Sequence, residues 1–129
     1  MFDLIESIVE FIREQNLGFA LVDFYRNEFS DNSGWNPVFP CCLVKFQGLQ
    51  AAGTFADGTS ISERATIIIY VAQRYDPSYD QVSALELADS LYDALADYSN
   101  DTYRLSQESV EYVSANYGTD VYQLTITAV

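Results

Sequence analysis

The middle of the chain carries the strongest pattern, the run Ala65-Thr66-Ile67-Ile68-Ile69-Tyr70-Val71-Ala72, in which both alternating sets of positions are apolar. Successive side chains of a strand point to opposite faces, so such a strand must be covered on both sides and belongs inside a sheet. Two stretches show helical spacing instead. From Phe2 to Ile12, the residues Phe2, Leu4, Ile5, Ile8, Val9, Phe11 and Ile12 share one side at about 100° per residue, with Asp3, Glu6, Glu10, Arg13 and Glu14 opposite. Asn16-Leu17-Gly18 supplies the stop. From Gln81 to Tyr98, Ala84, Leu85, Leu87, Ala88, Leu91, Tyr92, Leu95 and Tyr98 share a broad apolar face opposite Glu86, Asp89, Asp93 and Asp97. Asp76-Pro77, or Asp80, is the expected start of this second helix.

The remaining segments read as strands and turns. Phe19 to Tyr25 predicts a first strand, and Asn27 to Pro37, which contains Trp35, predicts a loop by its turn residues. Val38 to Phe46 predicts a second strand that is either an edge or begins near Pro40, because proline lacks the amide hydrogen of a central ladder. Gln47 to Ser60, punctuated by Gly48, Gly53 and Asp57-Gly58, predicts a long, mobile hairpin connection and the place for contacts particular to this protein. Ser109 to Ala115 and Asp120 to Val129 predict a closing hairpin around Asn116-Tyr117-Gly118. The expected fold is therefore one α+β domain over residues 1–129, in the order α-β-β-β-α-β-β. Its antiparallel sheet of four to five strands carries two helices packed on one face.

Composition narrows the function. With 49% hydrophobic residues the 129-residue chain is too apolar for disorder, and it has no run near the roughly 18 apolar residues of a membrane helix. Asp3 and Glu6 stand where a secretory signal carries positive charge, which predicts a cytoplasmic protein. Six basic against 19 acidic residues give a net charge of -13, so direct binding to nucleic-acid phosphates is disfavoured. The chain has no His, which removes imidazole-dependent catalysis and the commonest transition-metal ligand. Adjacent Cys41 and Cys42 read as small apolar strand residues rather than a disulfide framework.

No catalytic, phosphate-binding or metal-binding motif is present. The carboxylate row Glu86, Asp89, Asp93, Asp97 has the oxygen ligands that Ca²⁺ or Mg²⁺ take, but reads more simply as a solvated helix face. Asp57-Gly58-Thr59-Ser60 lacks the spaced acids of a calcium loop and reads as a turn. No catalytic residue, cofactor or metal is expected. Ten tyrosines and eight phenylalanines stand out, since tyrosine suits half-wet contact surfaces. Trp35, Tyr75 and Tyr79, with Tyr70 on the second face of the central strand, are the candidate subunit-contact residues.

Taken together, the N-terminal amphipathic helix, the strand Phe39-Pro40-Cys41-Cys42-Leu43-Val44, the strand led by Arg64, the helix Ala84-x-x-x-Ala88-x-x-Leu91-x-x-x-Leu95 and the final Tyr122-x-Leu124-x-Ile126 strand resemble a known family. That family is the small tail-terminator and tail-completion proteins of long-tailed phages and prophages, including the Mu-like small tail proteins. The resemblance implies a non-catalytic subunit of a homo-oligomeric ring, typically a hexamer, at the end of the tail tube. It also implies tail or head-completion proteins as partners, and a life in the host cytoplasm during assembly and then in the virion tail. A different class competes with it. An acidic protein of this size could mimic DNA and occupy the basic groove of a DNA-binding protein. A metal-dependent or carboxylate-only enzyme ranks below both.

Overall fold

The computed structural model describes residues 2–26, 38–54, 60–74, 83–99, 103–113 and 119–129. Its elements are α1 (Phe2–Glu14), β1 (Leu21–Phe24), β2 (Cys41–Thr54), β3 (Ser60–Arg74), α2 (Ala84–Leu95), β4 (Leu105–Val113) and β5 (Thr119–Ala128). The element order α-β-β-β-α-β-β is the expected one, and the strands form one five-stranded sheet in the order β1-β2-β3-β5-β4. The apolar run Ala65 to Ala72 lies in β3, the middle strand, paired with β2 on one side and β5 on the other.

The sheet is mixed rather than antiparallel: β1 runs parallel to β2, with Leu21 opposite Cys41 and Phe24 opposite Val44. Parallel neighbours cannot be joined by a tight hairpin, and β2 accordingly begins opposite the start of β1. The other three pairings are antiparallel. Pro40 immediately precedes β2, where its missing N–H costs no ladder bond, so β2 is an inner strand.

The expected hairpin between β2 and β3 is present, but its connection is shorter than Gln47 to Ser60: residues 47–54 and Ser60 are strand, and residues 55–59 lie outside the described residues. Strand β2 continues to Thr54 and β3 starts at Ser60, with pairs such as Leu49 to Ala65 and Gly53 to Ser62. Gly48 and Gly53 mark register shifts, one between Phe46 and Gly48 and others around Gly53. Glycine inside a strand pattern often signals such a bulge, where one strand contributes an extra residue and bends.

Both helices cover the same face. Leu4, Ile5, Ile8, Val9 and Ile12 of α1 and Leu87, Ala88, Leu91 and Leu95 of α2 form one buried cluster with Cys42, Val44, Ile67, Ile69, Val71, Leu124 and Ile126. The helices also touch through Tyr98, which follows α2. Its ring meets Phe11 edge-on at 5.2 Å, and its hydroxyl lies 2.9 Å from Ser7 Oγ.

Each helix has a local reason to stop or start. Beyond α1, Asn16 and Gly18 take positive φ values of 52° and 101°, a conformation open to glycine and tolerated by asparagine. At α2 the cap is Ser83, whose Oγ accepts from the Glu86 backbone N–H at 3.2 Å. Ser83-Ala84-Leu85-Glu86 has the spacing of a capping box. The expected starts at Asp76-Pro77 and Asp80 lie outside the described residues.

On the opposite face of the sheet, Cys41, Leu43, Ala72 and Val121 are buried in a smaller cluster against Leu21, Tyr25, Phe39, Tyr70 and Val113. Ile68 on this face is only 7% exposed. The two-sided apolar character of β3 is thus matched by burial on both sides. Among the described residues no buried side-chain N or O lacks a hydrogen-bond partner.

Candidate functional site

The described residues that remain exposed despite large apolar side chains gather mainly at the two margins of the sheet, and both groups lie on its helix-bearing side. Such side chains are where a soluble protein meets a partner when they adjoin one another.

The first margin is formed by β1, β2 and the start of α1. Val44 packs into the main core, and two positions along, Phe46 faces the same way but reaches past the helix and is 40% exposed. Leu49, beyond the bulge and paired with buried Ala65, is 47% exposed. Ile5, Phe24, Val44 and Phe46, with Tyr25, Arg26 and Lys45, line an open groove of about 500 Å³. Arg26 and Lys45 stand at its rim. The Arg26 guanidinium lies 5.8 Å from the centre of the Phe24 ring, and Lys45 Nζ lies 5.7 Å from that of Tyr25. Arg26 also pairs with Asp23 at 3.1 Å. Burial works against ionisation of Asp23, but the Phe24 backbone N–H and the Arg26 guanidinium outweigh it and hold the carboxyl below its ordinary value.

The second margin is β4 and the start of β5. Val110 and Tyr112 pair with Leu124 and Tyr122, which places them on the helix-bearing side, 38% and 56% exposed. The rings of Tyr112 and Tyr122 meet at 5.4 Å and 70°, and the Tyr112 hydroxyl donates to Asp120 at 3.3 Å. A register shift between Gln107 and Ser109 leaves Glu108 as the extra residue, and its carboxylate accepts from the Thr127 hydroxyl at 3.1 Å. Glu111, paired with Gln123, lies like Glu108 on the face away from the helices, opposite to Val110 and Tyr112. Among the described residues β4 has β5 as its only neighbour in the sheet.

Of the candidate contact residues read from sequence, Tyr70 is described and Trp35, Tyr75 and Tyr79 lie outside the described residues. Tyr70 is half-buried on the face away from the helices, with its ring 4.9 Å from that of Tyr25. Burial, with Tyr25 alongside, pushes its phenol above the usual value. The structure brings Tyr70 together with the β1 margin rather than with the β4 margin.

The acidic row Glu86, Asp89, Asp93 and Asp97 is exposed on the outer side of α2, and Asp3, Glu6, Glu10 and Glu14 are exposed on α1. Among the described residues no three acids or cysteines are grouped to hold a metal ion. Cys41 and Cys42 are unlinked and buried. Burial, with the Cys41 thiol beside it, pushes the Cys42 thiol far above its ordinary value, so it is not the thiolate that nucleophilic or redox chemistry needs. Among the described residues no helix is long and apolar enough to cross a membrane.

Phe46, Leu49, Val110 and Tyr112 were not legible as surface residues. Phe46 and Leu49 flank Gly48, which reads as a turn, while the extra residue at Glu108 changes which side of β4 the following residues occupy. The apolar alternation of Val110 and Tyr112 around Glu111 was the one available signal. No protein-family model matches the chain and no curated protein matches it, so its surfaces are read from their own chemistry.

Proposed function

We propose that this protein is a structural, non-catalytic tail terminator or tail-completion subunit of a phage or prophage, assembling into a ring at the end of the tail tube. The observation that carries the proposal is the exposure of large apolar side chains at both margins of the sheet, Phe46 and Leu49 at one and Val110 and Tyr112 at the other. A subunit flanked by neighbours in a ring has two such margins to cover. In this reading the protein works in the host cytoplasm during assembly and then in the virion tail, beside other tail or head-completion proteins. It uses no cofactor and makes no direct nucleic-acid contact. Size-exclusion chromatography with light scattering tests the proposal, with a hexamer expected at six times the 14.5 kDa protomer.

A second reading is supported by the carboxylates on the outer sides of both helices. These two acidic rows on one side of the sheet offer the repeated negative charge that a DNA-mimicking inhibitor presents to a basic groove. A monomer that binds a DNA-binding protein, and releases it as salt rises, would favour this reading over the ring.

A further inference from the structure

We infer that the outer edge of β4 takes an extended segment of a partner protein as a further strand of the sheet, a segment whose side chains alternate between apolar and basic. This goes beyond the ring reading and does not rest on it, because the occupant is another protein and not a second copy.

The backbone at this edge is open. Arg104 and Val129 exchange two N–H···O bonds, each 2.9 Å, so from Val129 every second residue of β5 turns to β4. Leu124 and Tyr122 fall between these and turn to β3, against which β5 runs without a register shift. Their partners Val110 and Tyr112 therefore direct N–H and C=O away from β5, to a side that holds no strand among the described residues. The other edge of the sheet is closed by comparison. At β1, Arg13 occupies the Val22 carbonyl, and the Asp23 carboxylate accepts from the Phe24 N–H at 2.7 Å.

The side chains along β4 set the chemistry of an added strand. Val110 and Tyr112, 38% and 56% exposed, stand on the helix-bearing face, and Glu108 and Glu111 are exposed on the other. Successive side chains of a strand point to opposite faces, so a strand that lays apolar residues beside Val110 and Tyr112 carries its alternate residues beside the two carboxylates. Lysine or arginine there pairs with them. Main-chain bonds give such an addition its affinity, and the alternate side chains give it specificity. A second copy does not fit. Across a twofold, β4 laid antiparallel on β4 gathers Glu108 and Glu111 of both copies on one face, and like charges across strands destabilise. Laid parallel, it sets those acids beside apolar Val110 and Tyr112.

The probe is a blocked peptide of alternating valine and lysine as long as β4, nine residues. A peptide of the same composition, with its valines and lysines in two blocks, controls for charge alone. At low salt the alternating peptide is expected to bind and to slow deuterium exchange at the Val110 and Tyr112 amides, and the block peptide to bind about tenfold or more weakly. Val110→Pro removes an outward N–H and no bond to β5, and is expected to weaken binding about tenfold or more. Glu111→Lys is expected to weaken it by about as much, and to admit a peptide of alternating valine and glutamate instead. Circular dichroism establishes that both variants are folded. Should Val110→Pro unfold, exchange at the two amides of the parent carries the test. Equal binding of the two lysine peptides, or binding that leaves both amides exchanging as before, would show attraction of charge without an added strand and overturn the inference. No binding at millimolar peptide overturns it too, as does a parent dimer that Val110→Pro dissolves, which makes the occupant a second copy. Light scattering reads the ring separately: a hexamer that binds no peptide keeps the ring and overturns the added strand, and a monomer that binds the peptide does the reverse.

Discussion

The guanidinium of Arg13, in the last turn of α1, donates through both Nε and Nη2 to a single acceptor, the carbonyl of Val22 in β1, at 3.0 and 2.7 Å. One side chain thereby ties the first helix to the first strand and occupies a carbonyl of a strand whose only sheet neighbour among the described residues is β2. Edge strands are templates for unwanted pairing unless such groups are blocked. Arg13→Ala is expected to cost about 1.5–3 kcal/mol, as for hydrogen bonds to charged groups, and to raise the tendency to aggregate. Arg13→Lys should recover only part of the loss, since lysine lacks the planar fork. Urea unfolding reads the first effect and light scattering on incubation the second. A lysine variant as stable as the parent would show that charge alone matters here.

Asp23 supplies a pH dependence whose sign follows from its environment. Its folded-state pKa lies below the unfolded value of 3.8, so its ionised form stabilises the fold above that value. The contribution is lost as pH falls through the lower folded-state pKa. Asp23→Asn is therefore expected to reduce stability at neutral pH and to flatten the stability profile on the acid side. Urea midpoints across that range test it, and a variant whose acid-side profile matches the parent's would refute the assignment.

Gly18 and Gly48 make opposite demands. Gly18 has φ of 101°, so Gly18→Ala forces a side chain into a strained backbone region at a cost of about 1–3 kcal/mol. Gly48 has open space where a Cβ would sit and no positive φ. Gly48→Ala is expected to be neutral or to stabilise by about 0.4–1 kcal/mol, by narrowing the unfolded ensemble. Thermal melts of the two variants in parallel give the comparison, and a Gly48→Ala loss as large as that of Gly18→Ala would mean that the bulge itself requires glycine.

The second helix separates core from surface within one turn and a half. Leu91 is fully buried, whereas Leu85, expected on the apolar face, sits beside Glu86 outside the buried set and is 53% exposed. Leu91→Ala is expected to cost about 2–5 kcal/mol through lost burial and the cavity left behind, while Leu85→Ala should stay within about 0.5 kcal/mol of the parent. Ser83→Ala, removing the cap, belongs between them at about 1 kcal/mol. Denaturant unfolding ranks the three, and a reversed order would place α2 differently against the sheet.

The helices and the central strand were readable because burial imposes a period on side chains. Leu4, Ile5, Ile8, Val9 and Ile12 recur at helical spacing, and Ile67 to Val71 leave no polar side of a strand. The direction of β1 was not readable, because parallel and antiparallel strands share the two-residue period of Leu21 to Phe24. Gly48 reads alike as a turn and as a bulge, and only its pairing with Thr66 decides between them. Ser83 was overshadowed by the stronger local signal of Asp76-Pro77. At the candidate surface, charge was visible in the composition, but the separation of Arg26 and Lys45 from Glu108 and Glu111 depends on strand order, which no local pattern encodes.

The position of Ala65 to Ala72 between two antiparallel neighbours also sets how amide protons leave the molecule. Backbone N–H groups along this stretch are directed to β2 or to β5, while those of Leu21 to Phe24 have, among the described residues, a strand on one side only. Deuterium therefore enters β1 through partial openings at the edge of the sheet, but reaches the centre of β3 only when the whole domain comes apart.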